Sequence, residues 1–461
     1  MRNTHQNNRN KRRGDPLNPQ STLALSFLLL IFAGTVLLAL PWSAEKQTAS
    51  MIDALFTATS AVCVTGLIVV DTGVYWSGFG QGVILALIQT GGLGIMTFST
   101  FFAYILSGRL NIRTRTLLEQ SVGGVRAVNM NSLLLWIVGG TLIFELLGAV
   151  LLSWRFAQMM PLPEAIYTGV FHAVSAFCNA GFSLFSDSLM SYRSDLIINL
   201  SVMLLIILGG LGFWVMFDLR RIRQKTHPLK RVSIHTRITL TTTALLLVTG
   251  FAVILLLEWS HHMASFSVGD KLLTAAFQSV TPRTAGFNTL NIAGLTHASL
   301  FFIIVLMIIG ASPGSCGGGI KTTTFAVLWT LLRTHSHDER RQITLFDRGV
   351  SRAVINKVMQ ILLYALAAII VGCLLLCITE ANTGYAGAHS NFFLQVLFET
   401  ASALGTVGLS MGLTAHLSEA GKLVITILMF AGRIGPLTLS MAVSRREYTG
   451  IRYAEEDVWV G

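Results

Sequence analysis

The chain alternates long apolar stretches with short polar connectors. Runs rich in Leu, Ile and Val occupy residues 23–40, 133–152, 196–216, 239–257, 300–309 and 361–378. Most of them reach the ~20 residues that cross about 30 Å of hydrocarbon as a helix. Polarity does not alternate along them, so membrane-spanning helices are predicted rather than barrel strands. Shorter apolar segments, such as 51–63 and 164–178, lie between the long ones. At about 13 to 15 residues these are too short to span and are predicted as re-entrant helices. The chain must then turn back, and the irregular backbone of that turn survives at membrane depth only where it lines a wet cavity or is buried in protein.

The short segments repeat one another. Residues 56–67, 171–182 and 398–409 each open with Phe, carry Ser-Ala four residues on, and end in Gly followed by Leu or Phe. A more divergent copy, 276–287, keeps Gly286-Phe287 but carries Thr281-Pro282-Arg283. The closing triplets are Val64-Thr65-Gly66, Asn179-Ala180-Gly181, Thr284-Ala285-Gly286 and Thr406-Val407-Gly408. Glycine in third place permits backbone angles closed to other residues and leaves an axis unobstructed. The fourth triplet reads Thr-Val-Gly, as potassium-channel filters do. Four such loops on one axis would present rings of carbonyl oxygens able to replace the water shell of a cation. The re-entrant helices would aim their negative ends at that path, with Asp53, Glu164 and Asp270 near the opposite, positive ends. Small residues also pack helix on helix in membranes, but packing does not account for recurrence in a fixed frame of Phe, Ser-Ala and Gly.

The predicted fold is therefore an all-α membrane protein of four tandem repeats, each an outer helix, a pore loop and an inner helix, around one pseudo-fourfold ion pore. The expected divisions are a basic N-terminus over 1–20, repeats over 21–107, 130–221, 234–335 and 352–445, and a tail over 446–461. Each inner helix carries a glycine pair: Gly91 and Gly94, Gly209 and Gly212, Gly310 and Gly314, Gly432 and Gly435. The second members follow the triplet glycines by 27 to 31 residues, which places them in one layer. Residues 310–319 hold five glycines, Gly310, Gly314, Gly317, Gly318 and Gly319, together with Pro313. A helix cannot continue through such a run, and the break is expected in the third repeat alone. Lys321 follows it, and Arg433 stands in the same layer of the fourth repeat. A lone arginine within a span seeks carbonyl partners, so a loop gate latched by Arg433 is expected.

Composition agrees with a membrane protein: hydrophobic residues are 52% and charged residues 12% of 461, with mean hydropathy +0.65. The net charge of +11 would suit nucleic acid, but its distribution does not. Of the 33 lysines and arginines, 25 fall in alternate connectors and at the two ends. The positive-inside rule then places both termini in the cytoplasm. The first apolar stretch imitates a secretory signal ending at Trp42-Ser43-Ala44, yet it is longer than a signal needs and is read as an uncleaved span. Cys63, Cys178, Cys316, Cys373 and Cys377 have no zinc-site spacing and suggest no disulfide framework.

Two motifs invite other chemistry. Residues 314–322 resemble a phosphate-binding loop, but Ile320 separates the glycine from Lys321 and no strand precedes it. Thr57, His172 and Glu399 each stand nine residues before a triplet glycine. They read as polar supports of the loops or as a proton relay, and Glu145 is open between packing and function. An intramembrane enzyme would need a nucleophile and base on facing helices; Ser175 and His172 lie three residues apart on one. An alternating-access cation symporter would carry inverted repeats, whereas these four run in one orientation.

The four repeats, Thr-Pro-Arg-Thr-Ala-Gly-Phe at 281–287, Gly-Gly-Gly-Ile-Lys-Thr at 317–322 and Gly-Arg-Ile-Gly-Pro at 432–436 together resemble the Ktr/Trk superfamily of potassium-uptake proteins. The length and the single set of eight expected spans look like the Ktr membrane subunit. The resemblance implies potassium translocation through four unlike filter loops, promoted by sodium, in a homodimer whose subunits each have a pore. It implies control by a cytoplasmic ring of nucleotide-binding regulatory subunits docked on the basic face. Gating in the family is assigned to the broken third inner helix and its arginine, here 310–319 and Arg433. No Gly-x-Gly-x-x-Gly opens a strand-to-helix unit in this sequence, so nucleotide control is expected from a separate chain. No cofactor is expected in this one, with K+ the transported ion and Na+ an activator.

Overall fold

The computed structural model describes residues 19–45, 49–94, 130–222, 233–335, 344–346, 348–381, 383 and 390–435. The expected basic N-terminus up to residue 18, the basic connector 109–126, the C-terminal ends of the first and fourth repeats, and the tail 446–461 lie outside these residues.

Four times the chain forms a long helix, a short helix and a second helix. The first set is α1 (Pro19–Leu38), α2 (Met51–Val62) and α3 (Gly78–Gly92). The second is α4 (Met130–Phe156), α5 (Leu162–Phe177) and α6 (Leu196–Leu211), followed by α7 (Phe213–Ile222). The third is α8 (Ile234–Glu258), α9 (Val268–Val280) and α10 (His297–Ile308), followed by α11 (Thr322–His335). A two-residue hairpin, Thr344–Leu345 with Arg348–Gly349, leads to α12 (Arg352–Glu380), α13 (Phe392–Gly405) and α14 (Glu419–Ile434).

The long helices α1, α4, α8 and α12 are long and apolar enough to cross a membrane, and the bent pair of α6 and α7 makes a fifth candidate. Eight spans were expected, the third inner one broken, and the C-terminal ends of the inner helices of the first and fourth sets lie outside the described residues. The second helices stop early: α6 and α14 have 16 residues each, about 24 Å of rise, short of the hydrocarbon thickness. The glycine pairs supply the cause. Gly94, Gly212, Gly314 and Gly435 all have positive φ, at 79°, 93°, 69° and 89°; at Gly94, Gly212 and Gly435 this conformation ends a right-handed helix, whereas α10 already stops at Ile308, ahead of its glycine pair. An interruption was expected only in the third repeat, yet the helix also ends at or just before the second glycine of the first, second and fourth sets. In the second set the chain resumes as α7 at 92° to α6.

The first glycine of each pair serves close approach. A Cβ on Gly91, Gly209 or Gly432 would lie 2.1, 1.8 or 2.0 Å from the carbonyl oxygen of Val62, Phe177 or Leu404, at the C-terminal end of the short helix in the same set. At Gly310 the obstacle is the chain's own Gly318 carbonyl, at 2.3 Å.

Packing runs around a closed circuit. Each long helix lies on the short helix that follows it. Each second helix also reaches the next set's short helix: α3 touches α5, α6 touches α9, α10 touches α13, and α14 returns to α2. Lys422 at the start of α14 meets Asp53 at the start of α2 at 2.6 Å, closing the circuit across 369 residues of chain. The recurring Phe56, Phe171 and Phe398 are fully buried beneath the loops. The outer faces are apolar: Leu363, Leu366, Ile370, Leu374 and Ile378 of α12 are exposed, as a lipid-facing helix requires.

The far ends of the sets are pinned by different chemistry at one joint. Glu258 at the end of α8 accepts hydrogen bonds from Thr296 N at 2.9 Å and Oγ1 at 2.7 Å. Glu380 at the end of α12 does the same for Ser418, with Oγ at 2.6 Å. In the second set the charges are exchanged, and Arg155 Nε meets the capping Asp195 at 2.6 Å.

Candidate ion-binding site

The four triplets begin where α2, α5, α9 and α13 end. Val64, Asn179, Thr284 and Thr406 have left-handed φ of 56°, 59°, 69° and 50°, and Gly66, Gly181, Gly286 and Gly408 have φ of 90°, 70°, 83° and 91°. Left-handed backbone at Val and Thr is strained and persists only where the surroundings impose it. Here the middle N–H groups impose it, since each reaches back into its own helix end. Thr65 N donates to Ser60 O at 2.8 Å, Ala180 N to Ser175 O at 2.7 Å, Ala285 N to Thr281 O at 3.0 Å, and Val407 N to Ser402 O at 2.9 Å. The triplet carbonyls accept no hydrogen bond from any of the described residues.

The triplets abut in succession. A Cβ on Gly66 would lie 2.3 Å from Ala180 O, one on Gly181 2.6 Å from Ala285 O, one on Gly286 2.5 Å from Val407 O, and one on Gly408 2.2 Å from Thr65 O. The middle carbonyls of Thr65, Ala180, Ala285 and Val407 are therefore brought together, each against its neighbour's glycine. The short helices all direct their C-terminal, electronegative ends toward this cluster. Asp53, Glu164 and Asp270 stand in the first turns at their other ends.

Side chains from the same helices hold the loops. Ser60 Oγ accepts from Gly66 N and Ser402 Oγ from Gly408 N, each at 3.1 Å. Ser175 Oγ donates to Phe182 O and Thr281 Oγ1 to Phe287 O, each at 2.7 Å. Glu399 accepts from Ser410 Oγ at 2.5 Å, Met411 N at 3.0 Å and Thr414 Oγ1 at 2.7 Å. His172 stands at the equivalent place, with Nε2 3.0 Å from Ser183 Oγ and Nδ1 2.8 Å from Thr168 O. Ser175 and His172 thus face different partners and form no nucleophile–base pair. Thr57, third of the aligned positions, has no hydroxyl partner among the described residues. Glu145 accepts from Gln89 Nε2 at 3.0 Å and lies 3.8 Å from Cys178 Sγ, joining α4, α3 and the end of α5.

On one side the cluster opens into a cavity of about 300 Å³ lined by all four triplet glycines. On the other lies the glycine-rich loop between α10 and α11. Its base is stitched by Gly310 N to Ile320 O at 2.8 Å and Ile320 N to Ile308 O at 3.3 Å. Its tip reaches the triplets: a Cβ on Gly317 would be 2.0 Å from Thr284 Oγ1, and one on Gly318 2.2 Å from Thr406 Oγ1. Only glycine lets the loop lie that close. One flank is docked on the break between α6 and α7, with Cys316 N bonded to Gly209 O at 3.2 Å and Phe213 N to Gly314 O at 2.9 Å. Pro313 lies there too, its carbonyl 2.7 Å from a Cβ on Gly212.

Two cations hold this loop. Lys321 Nζ donates to Gly317 O at 2.7 Å and Gly318 O at 3.3 Å. Arg433 donates from one guanidinium nitrogen to Cys316 O and from the other to Gly91 O. A loop carbonyl was the expected partner of Arg433, whereas Gly91, Gly209 and Phe213 were not expected. Gly91 belongs to the adjacent set, and no local sequence signal ties it to an arginine 342 residues away.

A family model described as TrkH, cation transport protein, matches residues 7–448. The chain belongs to the TrkH family. This TrkH-family protein is 40% identical over 445 residues to the Ktr system potassium uptake protein B of Bacillus subtilis, covering 96% of this chain and 97% of that one. It is 42% identical over 446 residues to the protein of the same name from Vibrio alginolyticus, covering 95% and 94%. Its fold matches the crystal structure of the potassium transporter TrkH from Vibrio parahaemolyticus with a TM-score of 0.71 at 21% identity, over 95% of this chain and 87% of that one. A TrkH-family chain is a multi-pass membrane cation transporter and not an enzyme, in agreement with the separation of Ser175 from His172.

Proposed function

We propose that this chain is the pore-forming subunit of a potassium-uptake system, conducting K+ through a channel-like path rather than by alternating access. The observation that carries the reading is the closed succession of triplets, each glycine against the next middle carbonyl, with those carbonyls free of hydrogen-bond donors among the described residues. Converging carbonyls backed by four helix C-termini suit a partly dehydrated monovalent cation. The filter comprises Val64, Thr65, Gly66, Asn179, Ala180, Gly181, Thr284, Ala285, Gly286, Thr406, Val407 and Gly408, and the four sets are the repeats of one pseudo-fourfold pore. The gate comprises Gly310, Pro313, Gly314, Gly317, Gly318, Gly319 and Lys321, latched by Arg433. The potassium named in the titles of the relatives supports the choice of ion. The charge distribution supports an orientation with the gate and both termini on the cytoplasmic side, and the membrane we assign is the cytoplasmic membrane of a prokaryote.

The titles of the relatives name a protein B of a Ktr system, which supports the presence of a second chain. We assign control of the gate to a separate nucleotide-binding regulatory subunit on the basic cytoplasmic face, promotion of uptake to Na+, and the functional unit to a homodimer. Expression in bacteria lacking their own potassium importers tests the conduit, the sodium effect and the regulatory partner, and the mass of the purified protein in detergent tests the homodimer. Growth and 86Rb+ uptake at low potassium are expected, stronger with sodium and with a regulatory partner present. Membrane-inserted protein that supports no uptake under any of these conditions overturns the reading.

A further inference from the structure

The cavity of about 300 Å³ in front of the triplets is lined by Gly66, Gly181, Gly286 and Gly408 and otherwise by neutral side chains, except for Asp187. That carboxylate sits in the loop after the second triplet, where Oδ2 accepts from Ser191 N at 2.9 Å and from Ser191 Oγ. Both are neutral donors from its own turn. The arginines closest in sequence are turned elsewhere: Arg193 lies over the Phe266 ring at 4.1 Å, and Arg155 is bonded to Asp195 at 2.6 Å. Among the described residues no cation pairs with Asp187 within ion-pair distance. Among the described residues, the lining of this cavity therefore carries one negative charge with no ion-pair partner.

We propose that Asp187 is the ion-collecting residue of this protein, holding a hydrated monovalent cation in the cavity before it loses water to the triplet carbonyls. The inference rests on the conduit reading. A charge in a cleft with low-dielectric walls focuses its field and raises the local concentration of counter-ions. For a cation several ångströms away in partly ordered water, the Coulomb attraction enriches it about three-fold to ten-fold. Asp187 acts on capture, so its effect belongs on the half-saturating potassium concentration and not on maximal flux.

The test is concentration-dependent 86Rb+ uptake by the full chain in cells or proteoliposomes at low ionic strength. Asp187→Asn, which keeps an acceptor for Ser191, is expected to raise the half-saturating concentration about three-fold at unchanged maximal rate. Asp187→Glu restores it, and roughly 0.5 M of an impermeant salt erases the difference by screening. Ser186→Asp, which adds a carboxylate to the exposed neighbouring position, shifts it the other way and answers the question even if Asp187→Asn does not reach the membrane. An unchanged half-saturating concentration in these variants overturns the proposal. So does a fall in maximal rate that neither Glu nor salt corrects, which is the signature of a turn-holding role. Absence of uptake by the unaltered protein would instead refute the conduit.

Discussion

The triplet layer and the glycine-pair layer beneath it start from the same fourfold frame and end differently. In the triplets, Val, Asn and two Thr share one backbone conformation, and the side chains matter less than the peptide. In the layer below, all four second glycines share positive φ, yet their surroundings diverge. One set bends through 92° into a new helix, and one becomes a loop held by two cations. Repetition makes a uniform cluster of carbonyls in one layer, and unequal continuation gives the layer beneath it a different structure in each set.

The sharpest way to break the upper layer is to add side chains to its glycines. Gly66→Ser and Gly286→Ser must accommodate a Cβ 2.3 and 2.5 Å from neighbouring carbonyls at φ of 90° and 83°, so the carbonyls move apart. Loss of most potassium preference over sodium is expected, about ten-fold or more, read as the ratio of half-saturating concentrations. Unchanged values in both variants would remove these glycines from the proposed filter. The lower layer is tested next by Arg433→Ala. Two charge-assisted hydrogen bonds, each worth roughly 1.5–3 kcal/mol, no longer tie Cys316 to Gly91, and uptake without a regulatory partner should rise several-fold. Equal or lower uptake at normal expression counts against a latch.

A smaller effect is expected where the layers meet. Gly212→Ala places a Cβ 2.7 Å from Pro313 O at φ of 93°, a left-handed strain of about 1–2 kcal/mol. Thermal unfolding in detergent should fall by a few degrees, and an unchanged midpoint would mean that the bend tolerates an ordinary residue. The smallest effect belongs to the seam between the last and first sets. Lys422→Ala removes a pair whose side chains are each 17% exposed, and such pairs contribute at most about 1 kcal/mol. A larger loss would make this contact the keystone of the circuit.

How much of this was legible in the sequence follows from what is local. The helical membrane class was legible because apolar length is a local property, and the family was legible from runs such as 281–287 and 317–322. The glycine pairs were visible as a layer, but their consequence was misjudged. A helix tolerates glycine at about 1 kcal/mol, so sequence cannot tell a bent glycine from a straight one. What decides Gly212 is the bond from Phe213 N to Gly314 O, made by a loop a hundred residues away. The different partners of Glu399 and Thr57 were hidden in the same way. Their alignment is visible, but Ser410 and Thr414 answer Glu399 in space, while Thr57 is answered by nothing among the described residues.

Because all four triplets lie on one polypeptide, a substitution in any of them alters a quarter of the cluster. An assembly of four identical chains must accept each change four times over, so small adjustments there are coarse and often lethal. Here a single codon retouches one wall while three remain as they were. Asn179 beside Thr284, and Arg283 where the other sets have Cys63, Cys178 and Gly405, are the kind of private divergence that such an arrangement lets a lineage accumulate.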